Sequence, residues 1–535
     1  MRWMPQQVRG SFTLKVALAV VLIVVGDVLF FQQARYGGAF GLYGLLLLGA
    51  LALAQPAVLR QRIAAIALAL AAVYALAMLY SASLLAWLLF WIAAGLALLL
   101  PRTARFDDGW RWFQRLVFHG LVALAGPLPD LLRQRRVRAH RRPRSGGTRR
   151  LLPVLMLPLA GTLTFVWLFA LANPVIAEWV ASLRTPRIDG MTILRVVLWL
   201  VLAWLAWGLL RPHPTLRLVG TFDGSGDLAI PGVSPASVLL SLAAFNLLFL
   251  LQNAMDAAWL WGLAPLPEGL TLAAYAHRGA YPLIATALLA ALFVLVALRP
   301  GSATAGISAV RRLLALWIAQ NLFLVFNAGW RTVDYIEAYS LTVLRIAALL
   351  WMALVAVGLA LIWWRIAVAK SAAWLINANL AAAGVLLSAV AFVDLGVVAA
   401  QWNVRHAREI DGDGAQLDLC YLNRLGGSAL LPLIELEGRA LPAPLRQQVR
   451  NARGMVHRGL IDEVAAGGWD WLSQYRLDEA RRRLGGANGV AVTPYAFRCD
   501  GTPHPPPPEP APPPSPLSAP PTPAAALGLT AAPQR

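Results

Sequence analysis

Between Leu14 and Ala400 this chain is a succession of about eleven apolar blocks, each close to the roughly 20 residues a helix needs to cross a bilayer. Backbone in hydrocarbon must satisfy its own N–H and C=O groups, so blocks of that length fold as helices. The expected fold is all-α: a polytopic transmembrane helix bundle with spans at 14–31, 37–54, 63–80, 82–100, 151–172, 192–210, 236–253, 281–298, 313–330, 341–364 and 372–400. The second span is short, and the last is long enough to tilt or run past the membrane. Asp27 interrupts the first block and no small-x-small cleavage site follows it, so that block reads as an anchor that stays.

Composition agrees, with 59% hydrophobic and 13% charged residues against about 45–50% and 25% in soluble domains. The net charge of +20 resembles a nucleic-acid binder until it is mapped. Asn403–Asp500 holds thirteen Arg and twelve Asp or Glu, so the excess lies between the spans. With the N-terminus in the cytoplasm, the inside loops carry Arg60 and Arg62, a basic block, Arg211 and Arg217, Arg299, Arg311 and Arg312, then Arg365 and Lys370. The outside loops carry far fewer, which satisfies the positive-inside rule. Eleven spans then put the C-terminal region outside (N-in/C-out), in the periplasm for a Gram-negative cell.

Four parts follow. Residues 1–150 comprise four spans, an amphipathic helix around Trp110–Leu121 and a basic cytoplasmic loop. Residues 151–401 form a seven-span membrane core, 402–501 a small extracytoplasmic helical domain, and 502–535 a disordered Pro-rich tail. Arg133–Arg150 has nine Arg in eighteen residues and no interleaved aromatics. It reads as a topology determinant touching anionic lipid headgroups, with no nucleic acid as partner. Helices are expected at Pro444–Ala466 and Trp469–Leu484. Cys420 and Cys499 are the only cysteines: either a disulfide in an oxidising compartment or two unrelated thiols. The run Glu409–Cys420 mimics a calcium loop but has Cys420 where a bidentate Glu is needed. No metal site and no cofactor are expected.

Polar residues inside a membrane are costly and so become functional candidates. In this topology many fall at the outer level: Asp27; Gln252, Asn253 and Asp256; His277 and Arg278; Asn327 and Arg331; Asp334, Glu337 and Arg345; Asp394. Asn246 and Asn253 share a helix face, as do Gln320 and Asn327. The expected ligand-binding set is Arg345, Asp334, Glu337, Tyr335, Tyr339, Asp256, Asn253, Gln252 and Asp394. Arg345 offers a forked donor to a phosphate or carboxylate, with Asp334, Glu337 or Asp394 as its partner. The alternative is that the loop charges are solvated and that Tyr335 and Tyr339 belong to an ordinary aromatic belt.

The stretches Phe245–Gly262, Leu270–Ile284, Ala319–Met352 and Trp402–Leu433 resemble, in that order, a bacterial multi-pass inner-membrane family catalogued as a domain of unknown function (family 4173). The resemblance covers about 236–435, and Tyr335–Arg345 is its most specific part. Ser340 stands where that family tends to have Gly. The resemblance implies an inner-membrane protein and supplies no activity. No HExxH, CxxC, Walker or GxSxG motif occurs. Three roles therefore compete: binding or transport of an anionic small molecule or lipid through an outward-facing polar pocket; a membrane enzyme acting on a lipid-linked envelope substrate, with Asp256, Asp334 or Asp394 as acid or base; and a scaffold or sensor whose periplasmic domain binds an envelope protein partner.

Overall fold

The computed structural model describes residues 12–103, 107–125, 189–212, 234–260, 306–485 and 497–503, with isolated positions between 158 and 178 and at 220 and 289. Most of the expected spans 151–172 and 281–298, the block Arg133–Arg150, His277, Arg278 and nearly all of the tail lie outside these residues. The main helices are α1 (Phe12–Gly26, continued by a π-helical turn, Asp27–Gln32), α2 (Ala39–Ala54), α3 (Arg62–Tyr80), α4 (Leu84–Leu99), α5 (Gly109–Ala125), α6 (Gly190–Leu210), α7 (Pro235–Leu260), α8 (Ser308–Tyr339), α9 (Val343–Ala367), α10 (Ala372–Val390), α11 (Leu395–Arg405), α12 (Leu419–Arg424), α13 (Leu430–Glu437), α14 (Ala443–Ala465) and α15 (Trp471–Arg483). Among the described residues there is no strand, only the isolated bridges Ala407–Ala415 and Phe497–Pro503.

Among the described residues, eight helices are long and apolar enough to cross a membrane: α1 with its π turn, α3, α4, α6, α7, α8, α9 and α10. The chain is a multi-pass membrane protein. Helix α2, at 16 residues, is shorter. One expected span is corrected. Residues 372–400 are not one long helix: α10 ends at Val390 and α11 starts at Leu395. The cause is Asp394, whose Oδ1 accepts the N–H groups of Gly396 (2.8 Å) and Val397 (3.1 Å) and so caps a new helix. The same device restarts other helices. Ser83, Asp189, Thr342 and Ser371 cap α4, α6, α9 and α10.

Two apolar cores hold the bundle. The first joins α1–α4 and α6. Ala64, Ala67, Ala71 and Ala75 of α3 and Ala86, Ala93, Ala94 and Ala97 of α4 are buried, and small residues of this kind let helices approach where lipid offers no hydrophobic drive. Gly41 shows how close α2 comes, for a Cβ there would stand 2.3 Å from the Ala75 carbonyl oxygen. The second core joins α7–α10 around Leu242, Leu314, Trp317 and Leu359. Outward faces are apolar and bare, with Ile66, Leu240 and Leu344 67%, 74% and 82% exposed.

Helices α11–α15 pack on a third core, which includes Leu422, Leu430, Leu433 and Leu436. A disulfide joins Cys420 to Cys499 (Cα–Cα 4.6 Å). This region sits on one end of the bundle, where it meets three turns. Tyr36 N donates to Gly467 O (2.9 Å) and Gly38 N to Trp469 O (2.7 Å). Ala82 N donates to Asp470 Oδ2 (3.3 Å). Asn403 exchanges two hydrogen bonds with the Leu341 backbone (2.7 and 2.9 Å). At the opposite end, Asn377 accepts from Gly109 N (2.7 Å) and Arg102 donates to Pro212 O (2.9 Å).

Candidate functional site: a polar ladder between two helices

Helices α7 and α8 carry amides at a seven-residue spacing, Asn246 and Asn253 on one, Gln320 and Asn327 on the other. Seven residues is about two turns, so each pair points the same way, and the structure turns the two pairs toward each other. Asn246 Nδ2 donates to Leu242 O (2.7 Å) and to Leu313 O, 67 residues away (2.9 Å). One heptad on, Asn253 Nδ2 donates to Gln320 O, again 67 residues away (3.0 Å). The helices thus keep one register across the repeat.

Gln320 Nε2 then donates to Asn246 Oδ1 (3.2 Å), completing the first rung. Translated one heptad, the same bond would run from Asn327 to Asn253. It is not made, because Asn is one methylene shorter than Gln. Asn327 is wholly buried (0% exposed), and among the described residues neither of its amide atoms has a hydrogen-bond partner. Asn253 Oδ1 and Gln320 Oε1 are also buried and unpartnered. The network settles their orientation: with each nitrogen donating, the oxygens are left over. Unpaired buried polar atoms cost about 1–3 kcal/mol each, so an open rung asks for a function.

Beside it, buried Asp256 accepts from Gln252 Nε2 (3.2 Å) and stands 3.6 Å from Arg331. The ladder therefore unites Gln252, Asn253 and Asp256 of the expected set with Asn246, Gln320, Asn327 and Arg331.

The rest of the set goes elsewhere: among the described residues, its members fall into separate clusters. Arg345 Nη1 donates to Tyr339 O (2.6 Å) and to Ser340 O, and its guanidinium stacks on Tyr335, 4.1 Å from the ring centre. Its Nη1 is held by the carbonyls that end α8, and among the described residues it pairs with none of Asp334, Glu337 and Asp394. Tyr335 and Tyr339 pack together at 4.9 Å. Asp334 is half-buried and Glu337 exposed on the same helix. Asp394 forms an ion pair with Arg476 of α15 and accepts from Ser428 Oγ (2.8 Å). Burial alone would raise this carboxyl; the Arg476 charge, the Ser428 hydroxyl and the cap N–H groups outweigh it and hold it below the usual carboxylate range.

Asp27 has a cluster of its own. Arg195 grips it through two bonds (2.8 and 2.7 Å), while Trp199 Nε1 (2.8 Å) and Gln32 Nε2 (2.9 Å) also donate to it. Sequence reasoning missed Arg195, although an Arg inside the apolar run 190–210, one turn before Trp199, was the available clue. Among the described residues, no group of three or more His, Cys, Asp or Glu is placed to hold a metal ion.

The family model that matches the chain is described as a domain of unknown function, DUF4153, and covers residues 64–436, well over half of the sequence and the whole ladder. The expectation of a family of unknown function holds, under the number 4153 rather than 4173. No curated protein and no solved structure matches significantly.

Proposed function

Because the chain belongs to the DUF4153 family, whose description carries no activity, we propose a role from the ladder itself: this membrane protein binds, and passes, a small hydroxylated solute between α7 and α8. The single observation that supports this is the open rung: among the described residues the fully buried Asn327 amide has no partner, and the Asn253 and Gln320 side-chain oxygens on the same ladder are unpaired as well. Two leftover acceptors and one complete amide suit a group that both donates and accepts, as a hydroxyl does. The anionic ligand expected from sequence needs a free cation. Arg345 is engaged by backbone carbonyls and Arg331 stands beside Asp256, so neutral chemistry is the better match.

The orientation belongs to the same proposal. Basic residues gather at the end opposite α11–α15, and the Cys420–Cys499 disulfide suits an oxidising compartment. We therefore assign the protein to a bacterial inner membrane with α11–α15 and residues up to 501 in the periplasm, and with the spans before and after residue 150 as its two membrane parts.

The test is flux into proteoliposomes of neutral polyols, with phosphate and sulfate as comparators, for wild type, Asn327→Leu and Asn327→Gln. Glutamine supplies the missing methylene and closes the rung on Asn253, as Gln320 does on Asn246. Polyol flux that Asn327→Gln abolishes is the expected result. Anion flux in the wild type, or equal polyol flux in all three proteins, would sink the proposal.

A further inference from the structure

A second site lies apart from the ladder, among α1, α2, α4 and α6. It is a cavity of about 600 Å³, bounded by Phe30, Tyr43, Leu47, Phe90, Trp91 and Leu198 among others, with Ala466 from the C-terminal region closing one side. That volume lies inside the range of about 300–1,000 Å³ typical of small-molecule sites. Its wall is almost wholly apolar and aromatic, with two exceptions. The Tyr43 hydroxyl and the Trp91 Nε1–H are buried and have no hydrogen-bond partner among the described residues, and Tyr43 as a whole is 5% exposed. Arg35 and Tyr36 line the cavity too but are exposed, so they form its rim.

We propose that this cavity holds an acyl chain of an anionic glycerophospholipid drawn from the leaflet facing α11–α15. Three levels of the cavity match three parts of such a lipid. Arg35, in the turn outside the helices, meets the phosphate. Tyr43 lies one turn into α2, about 6 Å below its start at 1.5 Å per residue, at the depth of the ester carbonyls, which accept hydrogen bonds and donate none. Leu47, one turn further along α2, lies deeper against the chain, while Leu202 of α6 meets Gly26 at the level of Tyr43 and Leu198 lines the same wall. Buried hydroxyl and indole N–H groups ordinarily find acceptors, and a pure hydrocarbon such as an isoprenoid chain offers none at that depth.

Native mass spectrometry of the full-length protein in detergent tests this, with ester-linked dioleoyl-phosphatidylglycerol and its ether-linked analogue as probes. Wild type should bind the ester lipid about three- to tenfold more tightly, the worth of one hydrogen bond. Tyr43→Phe keeps the ring and should erase that preference. Arg35→Ala, in an exposed turn, should weaken both lipids while leaving the preference, and Leu198→Trp should exclude both. No preference in wild type, a preference that survives Tyr43→Phe, or tighter binding of a polyprenyl phosphate than of either phospholipid would overturn the proposal. These results are independent of the polyol measurement at Asn327.

Discussion

At the scale of single residues, the structure turns on side chains that are a methylene or a conformation away from their best fit. Asn327→Gln should stabilise the protein by about 1 kcal/mol, because a buried donor and acceptor become paired; thermal unfolding in detergent checks it, and an unchanged or lowered midpoint argues that the two amides do not face each other. Ser340 has φ +70° and ψ 163°, a region almost reserved for glycine that costs other residues of order 1–3 kcal/mol. Ser340→Gly should therefore raise the midpoint through relief of backbone strain alone. The family resemblance sets glycine at this position, and this backbone conformation gives a physical reason for that preference. Arg345 shows where such reading stops. Its position one turn into a span was legible. What was not legible is that the carbonyls ending α8, which have no partner within their helix, would hold its Nη1. The seven-residue spacing of Asn246, Asn253, Gln320 and Asn327 was legible too. The shared register that joins the two pairs is a tertiary fact and left no trace in either helix alone.

At the scale of elements, Asp394 decides where one helix ends and another begins. A hydrophobic run from 372 to 400 reads as one span, because hydropathy averages over a single carboxylate and a short turn. The carboxylate wins since it caps α11 and pairs with Arg476 at once. Its pKa in the folded protein lies below the usual range, so the unfolded chain takes up the proton first on acidification. The stabilisation is complete above the ordinary carboxylate pKa, near pH 4, and fades as pH falls through the lower folded value. Acid unfolding of the C-terminal region, followed by circular dichroism, should thus show a component below about pH 4 that Arg476→Met removes. An acid profile unaltered by that substitution would mean the pair carries no pH dependence. Asp394→Asn should retain most of the cap, because Asn caps about as well as Asp, while losing the pair.

At the scale of the molecule, the disulfide closes a loop of 79 residues around the helices that cover one end of the bundle. Chain-entropy arguments put its worth at about 4 kcal/mol, with strain and residual structure reducing that figure. Reduction by dithiothreitol should lower the unfolding midpoint of α11–α15 and leave the helicity of the membrane spans intact; simultaneous loss of both would show that the two parts do not melt separately. In intact cells, an impermeant maleimide should label Cys499 in a Cys420→Ser variant after outer-membrane permeabilisation. Labelling only after lysis would reverse the proposed orientation.

The contacts between the first turns and the last helices also set a clock. Tyr36 and Glu463, whose hydroxyl and carbonyl meet, are 427 residues apart, and Gly38 waits for Trp469. At about 5–20 residues per second of synthesis, the turn at 33–38 emerges some 20–90 s before its partner exists. The first two helices must therefore rest in the membrane unlatched for most of the protein's birth, and the final stretch of the chain fastens a joint laid down at the beginning.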